Sequence, residues 1–331
     1  MPTPGAAAIP SDADWLDAAA RLAMRGRPSS RPNPAVGAII VRDGVIVGRG
    51  WTRPGGRPHA EAAALQQAGS AVRGADVFVT LEPCAHRSER GPACAELLAD
   101  AAPARVIVGC GDPDPRTAGK GIARLRAAGI GVQLLDHTPS RDSLAGYLVQ
   151  RRLGRPHVTL KLALSLDGRI ALPDGSSRWI TGEMARAHVH SRRALADAIL
   201  VGGGTWRDDA PALDVRLSGL EDRSPRRLVL TRGEAPKGAQ AISTPQDIAD
   251  LKDTQYLYIE GGAGTAAAFL AADLVDRLDI YRAPILIGSG RPAIEDIGLG
   301  ALDEAHGRWA LVENCRLGSD GFEAYRRLRE G

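Results

Sequence analysis

Cysteine is rare in this chain, at four residues among 331. So few cannot staple a chain of this length, and no disulfide framework is expected. Lysine is equally rare: only Lys120, Lys161, Lys237 and Lys252 stand beside an arginine set that supplies nearly all the positive charge. Arginine suits bidentate recognition of phosphate, although this bias, together with abundant alanine, fits genome composition equally well. Net charge is close to missing, at +3. That leaves no basic footprint of the kind that argues for nucleic-acid binding. No apolar run reaches the length that crosses a bilayer. Met1 to Pro10 is rich in Pro and Ala but has no basic start followed by an apolar core. Residues 1–11 therefore read as a loose tail, not a signal peptide. These absences point to a cytoplasmic protein that engages neither nucleic acid nor membrane.

What is present is size, and one group of metal-binding residue types. The length suffices for two domains with substantial cores. Hydrophobic and charged fractions of 44% and 24% are those of a soluble globular protein. The group is His59-Ala60-Glu61 with Glu82-Pro83-Cys84 and Cys94. Zinc favours nitrogen and sulfur ligands in a tetrahedron, and a catalytic zinc keeps one position for a water that it acidifies. His59, Cys84 and Cys94 supply three protein ligands, which leaves Glu61 free to shuttle protons. His-x-Glu followed by Pro-Cys and a second Cys is the signature of zinc-dependent base deaminases. Nine residues separate the two cysteines here, where many deaminases have two. A lone His or Cys is usually a surface or packing residue; the order and pairing of these carry the zinc reading. Cys110 and Cys315 read as packed or free thiols.

Periodicity places these residues on elements. Asp12 is the expected cap of a helix to about Met24, with Trp15, Leu16, Ala19, Leu22 and Ala23 on one face. Strands are expected over Ala35–Val41 and Val45–Trp51, joined by an Asp43-Gly44 hairpin turn. A helix from His59 to Ala68 ends at Gly69 and carries His59 and Glu61 in its first turn. A strand over Val77–Leu81 runs into Cys84. Cys94 opens another helix, where a thiolate is favoured. A strand at Arg105–Gly109, a helix at Gly119–Ala128 and a strand at Gly131–Leu135 complete a β-β-α-β-α-β-α-β order. That order implies a three-layer α/β domain with zinc at one end of the sheet. Asn33, between two prolines, is either a substrate-binding amide or a turn residue. The Asp112-Pro113-Asp114-Pro115 loop has the same two readings. His86 and Glu89, in the loop between the cysteines, could touch substrate or metal, but the favoured expectation is that they face solvent.

A helix from Ser140 to Arg152 and a basic hinge over Arg151–Pro156 put the domain boundary near Gly154. The domains are then 12–153 and 154–331. In the second, His157–Leu164 is an apolar strand holding Lys161, and Asp167-Gly168 is a turn. A helix is expected over Glu183–Leu195, with buried strands over Asp197–Val201 and Tyr256–Ile259. Gly202-Gly203-Gly204-Thr205 and Glu260-Gly261-Gly262-Ala263-Gly264-Thr265 each join a strand to a helical segment. Such loops let backbone amides approach a phosphate at a helix N-terminus, or are simply tight turns. Two in one domain favour a dinucleotide site.

From about Asp14 onward, the chain resembles the bifunctional riboflavin-biosynthesis deaminase–reductase family. The resemblance rests on Pro32-Asn33-Pro34-Ala35-Val36-Gly37, His59-Ala60-Glu61, Thr80-Leu81-Glu82-Pro83-Cys84 and Gly119-Lys120-Gly121. In the second half it rests on Lys161 to Arg169, Trp179-Ile180-Thr181-Gly182, Asp197 to Gly202 and Glu260-Gly261-Gly262. It implies a cytidine-deaminase-like three-layer domain followed by a dihydrofolate-reductase-like domain. It also implies two consecutive reactions. The first is zinc-dependent hydrolytic deamination of 2,5-diamino-6-(5-phosphoribosylamino)pyrimidin-4-one. The second is NADPH-dependent reduction of the ribosyl group to ribityl. By motif position, His59, Cys84 and Cys94 are the metal ligands, Glu61 is the acid–base group, and Asn33 is a substrate contact. Ala163, Trp179, Thr205, Asp209 and the run Gly262, Ala263, Gly264, Thr265, Ala266, Ala267 and Ala268 resemble cofactor contacts. Ser177, Arg193, Leu213, Arg216 and Glu260 resemble substrate contacts, with Arg193 and Arg216 suited to clamp the substrate phosphate. Lys161 is a candidate for stabilising charge or donating a proton during reduction. Arg232, where the family commonly has serine after an acidic residue, is a candidate partner for the 2′-phosphate of NADPH. A homo-oligomer, dimer or higher, is also implied.

Two rivals compete with this reading. One is a monofunctional zinc deaminase acting on a nucleotide or RNA base, with a non-catalytic second domain. Modest charge and the lack of a recognisable RNA-binding motif argue against the RNA version. The other is a structural-zinc module, which would need a fourth protein ligand.

Overall fold

The computed structural model describes residues 10–329. It divides into two compact units between Leu153 and Gly154. Residues 1–9 of the expected tail lie outside the described residues. Ser11 at its other end is ordered, and it rather than Asp12 caps the first helix. The Ser11 hydroxyl accepts from the Asp14 amide at 3.3 Å and the Asp14 carboxylate accepts from the Ser11 amide at 2.8 Å, a reciprocal capping box. Asp12 instead pairs with Arg105 at 3.1 Å.

The first unit runs α1 (Asp12–Ala23), β1 (Gly37–Arg42), β2 (Val45–Trp51), α2 (Ala60–Ala68), β3 (Asp76–Val79) and α3 (Cys94–Ala101). It continues with β4 (Arg105–Val108), α4 (Lys120–Ala127), β5 (Gly131–Leu134), α5 (Thr138–Ser143) and α6 (Ala145–Leu153). Asp43 and Gly44 both have positive φ, 51° and 75°, which matches the right-handed twist of the hairpin they close. The sheet order is β2-β1-β3-β4-β5. β1 pairs antiparallel with β2 and β3, and β3, β4 and β5 are parallel. Alternation divides the strand residues between two cores. Ile39, Phe78 and Ile107 meet Leu16 and Ala19 of α1 on one face. Ile40, Val77, Val106 and Val108 meet Ala64, Leu98 and Leu125 of α2, α3 and α4 on the other. The single helix expected over Ser140–Arg152 is two. Its ladder is interrupted at Leu144 (φ −101°, ψ 4°), next to Ser143, whose hydroxyl donates to the Ser140 carbonyl at 2.8 Å and competes with the helical bond. Arg151 to Leu153, read as hinge, belong to α6.

The second unit runs β6 (His157–Leu164), β7 (Arg169–Ala171), α7 (Glu183–Arg193), β8 (Ala198–Gly202), α8 (Gly203–Asp209), β9 (Arg226–Leu230) and β10 (Gln240–Ile242). It continues with β11 (Tyr256–Ile259), α9 (Ala263–Ala271), β12 (Arg277–Arg282), β13 (Arg291–Pro292), β14 (Trp309–Leu317) and β15 (Asp320–Arg327). Eight strands form one sheet in the order β10-β9-β8-β11-β6-β12-β15-β14. The first six are parallel, β15 is antiparallel to β12, and β14 is antiparallel to β15. One face packs on α9 through Ala266 and Phe269, and the other on α7 through Ala185 and Val189. Asp197, expected to open β8, lies just before it and is buried. Its carboxylate accepts the amides of Gln255 and Tyr256 at 2.8 and 2.9 Å, which pins the start of β11 beside β8. The chain therefore lays β6 and then β8 with a gap between them, and later fills the gap with β11. Ligands of open parallel sheets bind where strand order reverses in this way, outside the carboxyl ends.

Candidate active site

In the first unit, three segments converge on one point. His59 is the N-cap of α2, Cys84 follows β3, and Cys94 is the first residue of α3. The His59 Nδ1 lies 3.2 Å from Cys94 Sγ and 3.6 Å from Cys84 Sγ, and all three ligand atoms lie within 4.8 Å of one another. Tetrahedral bonds of ordinary zinc lengths place such atoms roughly 3.5–3.8 Å apart. The donor set of one nitrogen and two sulfurs, with both thiols buried, fits zinc. Among the described residues no fourth His, Cys, Asp or Glu joins the group, which removes the main support for a structural-zinc module.

Electrostatics within the group are strongly asymmetric. A hydrogen bond from Cys94 draws the Cys84 thiol well below its ordinary value, against the opposing effect of burial. The same contact, with burial, pushes Cys94 well above its ordinary value. Burial opposes charge on the His59 ring, yet the Cys84 sulfur and the Glu61 carboxyl leave it raised overall. Glu61, in the first turn of α2 and 4% exposed, is raised chiefly by burial. A carboxyl lifted toward neutrality suits a group that must both take and give a proton.

A cavity of about 250 Å³ opens onto His59, Glu61 and Cys84. Asn33 lines it, with its side-chain amide 3.0 Å from the Gly56 carbonyl and 3.2 Å from His59 Nε2. Both aspartates of the 112–115 loop line it as well. Asp112 accepts from the Tyr147 hydroxyl at 2.7 Å, and burial raises its carboxyl. Asp114 pairs with Arg116 at 2.6 Å and Arg151 at 3.4 Å. His86, expected in solvent, lies on the wall with Nδ1 3.5 Å from the Thr117 hydroxyl. Glu89 is exposed. Tyr147, Arg116 and Arg151 were missed by sequence reading. The loop and helix that carry them meet His59 only in three dimensions, and no local pattern marks that.

In the second unit, the two glycine loops leave the adjacent strands β8 and β11. A Cβ added to Gly202 would lie 2.3 Å from Thr265 Oγ1, and one added to Gly261 would lie 2.6 Å from Thr265 Cβ. The glycines are therefore demanded by close packing on the first turn of α9. Thr265, Ala266 and Ala267 are buried and Gly264 is exposed, so the open side of this turn is backbone. Beside the loops, Glu260 follows β11, its side chain 9% exposed. Arg193 grips it at 2.5 and 3.0 Å and gives a third bond to the Asp214 carbonyl at 2.8 Å. Lys161 Nζ stands 3.5 Å from the same carboxylate. Burial works against ionisation of Glu260, but Lys161 and Arg193 hold it down at about 2.

The other sequence candidates scatter around this centre. Ala163 is half-buried on β6, and Thr205 and Ser177 are half-buried on α8 and on a loop. Trp179 is 68% exposed, with the Arg186 guanidinium 4.9 Å from its ring centre. Asp209 is exposed and lies 3.5 Å from Arg178. Leu213 is packed into the core with Ala185 and Val189 of α7, at a φ of 52°. Arg216 is exposed, 2.9 Å from Asp214. Arg232 is exposed.

Comparison with known proteins agrees with both halves. Residues 10–110 match the model of the cytidine and deoxycytidylate deaminase zinc-binding region, and residues 156–321 match that of the RibD C-terminal domain. The riboflavin biosynthesis protein RibD of Mycobacterium tuberculosis is 40% identical over 306 residues, covering 87% of this chain and 89% of its own. The solved structure of Acinetobacter baumannii RibD superimposes with a TM-score of 0.84 at 34% identity, covering 96% of this chain and 99% of that one. A diaminohydroxyphosphoribosylaminopyrimidine deaminase/5-amino-6-(5-phosphoribosylamino)uracil reductase from Thermotoga maritima gives 0.82 at 27% identity, with the same coverage. The chain belongs to the RibD family, the bifunctional deaminase–reductases of riboflavin biosynthesis.

Proposed function

We propose that residues 12–153 deaminate the diamino-pyrimidinone ribosylamino phosphate and that residues 154–331 then reduce its ribosyl group with NADPH. The observation that carries the first step is the convergence of His59, Cys84 and Cys94 on one point, with His59, Cys84 and Glu61 lining one cavity. Zinc held by these three ligands supplies an acidified water when bound. Glu61 takes one proton from the attacking water and gives it to a ring nitrogen, then carries the second from the new hydroxyl to the amino group, which departs as ammonia. Asn33 and the 112–116 loop hold the ring against Glu61. Because Asn33 also touches the outer nitrogen of His59, it orients a metal ligand as well as the substrate.

For the second step, NADPH supplies the hydride when bound. The backbone of Gly202–Gly204 and Gly262–Gly264 cradles its phosphates. Glu260 faces the sugar hydroxyls, and Lys161 beside it can donate a proton as the ring opens. Arg193 has three bonds to its own chain, so its task is to hold Glu260 in place. Arg216, on the surface, is the arginine left to meet the substrate phosphate. We further propose a cytoplasmic homo-oligomer, as the family resemblance implies.

The test supplies the diamino substrate with and without NADPH and follows ammonia release and NADPH oxidation separately. Ammonia without NADPH, followed by NADPH consumption once it is added, is the expected result. Ammonia alone would confine activity to the first unit. Neither signal from zinc-loaded protein would overturn the substrate assignment.

A further inference from the structure

One buried carboxylate in the first unit has no part in the chemistry above. Glu82 is 3% exposed and is bonded to backbone amides. Its Oε1 accepts from Gly121 at 3.0 Å and Ile122 at 3.2 Å, and its Oε2 accepts from Gly119 at 3.0 Å and Asp112 at 3.4 Å. Three of these amides form the start of α4, where unpaired N–H groups and the helix dipole favour a carboxylate. The fourth opens the 112–119 loop that lines the cavity. Pro83 presses on the same helix. A Cβ on Gly121 would lie 2.0 Å from the Pro83 carbonyl oxygen, so only glycine permits the approach. The next residue is Cys84.

We propose that Glu82 is a positioning residue for the metal site. Seated on α4, it fixes the turn that aims the Cys84 sulfur at His59 and Cys94, and it ties both ends of the substrate loop to that turn. The inference rests on Cys84 being a zinc ligand. Glutamine cannot replace it faithfully. Each carboxylate oxygen takes two N–H donors, so a glutamine NH₂ faces two donors whichever way the amide is turned.

The experiment uses the full chain as wild type, E82Q, G121A and C84A. It measures zinc affinity by competition with a chromogenic chelator, the thiolate-to-metal absorption of the Co(II)-substituted protein, and limited proteolysis. Wild-type zinc affinity in C84A would remove Cys84 as a ligand, and this inference with it. With C84A impaired, E82Q is expected to resist protease like the wild type. It should bind zinc about 10- to 100-fold more weakly and show a shifted Co(II) band. G121A should behave alike, because its methyl group pushes the same turn from the other side. Unchanged affinity and band in E82Q would overturn the inference while leaving the zinc site intact. A first unit digested even when zinc-loaded would also overturn it, since Glu82 would then serve the fold at large.

Discussion

At the residue scale, two carboxylates and two arginines divide tasks that their names do not reveal. Glu61→Gln keeps the shape of the site and removes its proton carrier. It should retain zinc by metal analysis and lose deamination by about 10²- to 10⁴-fold. Arg193 and Arg216 should separate cleanly. Arg193→Met leaves Glu260 buried with Lys161 as its remaining cation. Breaking a buried pair costs on the order of 3–5 kcal/mol, so denaturant unfolding of the second unit should move to lower concentration. Arg216→Met should change stability by no more than about 0.5 kcal/mol and raise KM for the phosphorylated substrate. Lys161→Met with unchanged reductase turnover would remove Lys161 from the chemistry. The metal site was legible in the sequence because zinc restricts its ligands to a few residue types and the motif keeps them in order. The task of Arg193 was not legible, because its partner lies 67 positions away and an ion pair over that distance leaves no local pattern.

At the element scale, periodicity was more legible in the residues than element ends were. β2, β6 and β11 fall where alternation and apolar runs placed them. The differences arise where side chains compete with the backbone. Ser11 takes the cap from Asp12, Ser143 interrupts a helix, and Asp197 leaves β8 to anchor β11. The glycine loops were legible as loops. That both close on Thr265 was not, since it depends on β11 being inserted beside β8. Gly261→Ala tests that packing. Its methyl group would strike the Thr265 side chain and shift the first turn of α9. NADPH binding, read by fluorescence titration, should weaken by tenfold or more, about 1.4 kcal/mol, while ammonia release persists.

At the scale of the whole molecule, acid should act on the second unit through its buried ion pairs. Asp276, between Arg155 at 2.7 Å and Arg329, is disfavoured as an anion by burial but is held by Arg155 at about 2, against an ordinary 3.8. Glu260 is likewise at about 2 against 4.5. A carboxyl depressed in the folded state contributes its full stability above its unfolded value and loses it as pH falls through the folded one. The contribution is on the order of 2–3 kcal/mol for Asp276 and 3–4 kcal/mol for Glu260. Melting temperature should therefore be flat above roughly pH 5 and fall steeply between about 4.5 and 2. A flat profile through that window would show that these pairs do not bear on stability.

His59, Cys84 and Cys94 are contributed by three segments that meet only once α2, β3 and α3 have assembled. The unfolded chain does not hold them together, so zinc binds the folded state in preference and draws the equilibrium toward it. At a free concentration one hundred times its dissociation constant, the ion would add about 2.7 kcal/mol to the first unit. Chelation should then lower that unit's melting transition and leave the other in place. Metal supply thereby becomes a control on how much of this half of the enzyme exists in folded form, before any question of turnover arises.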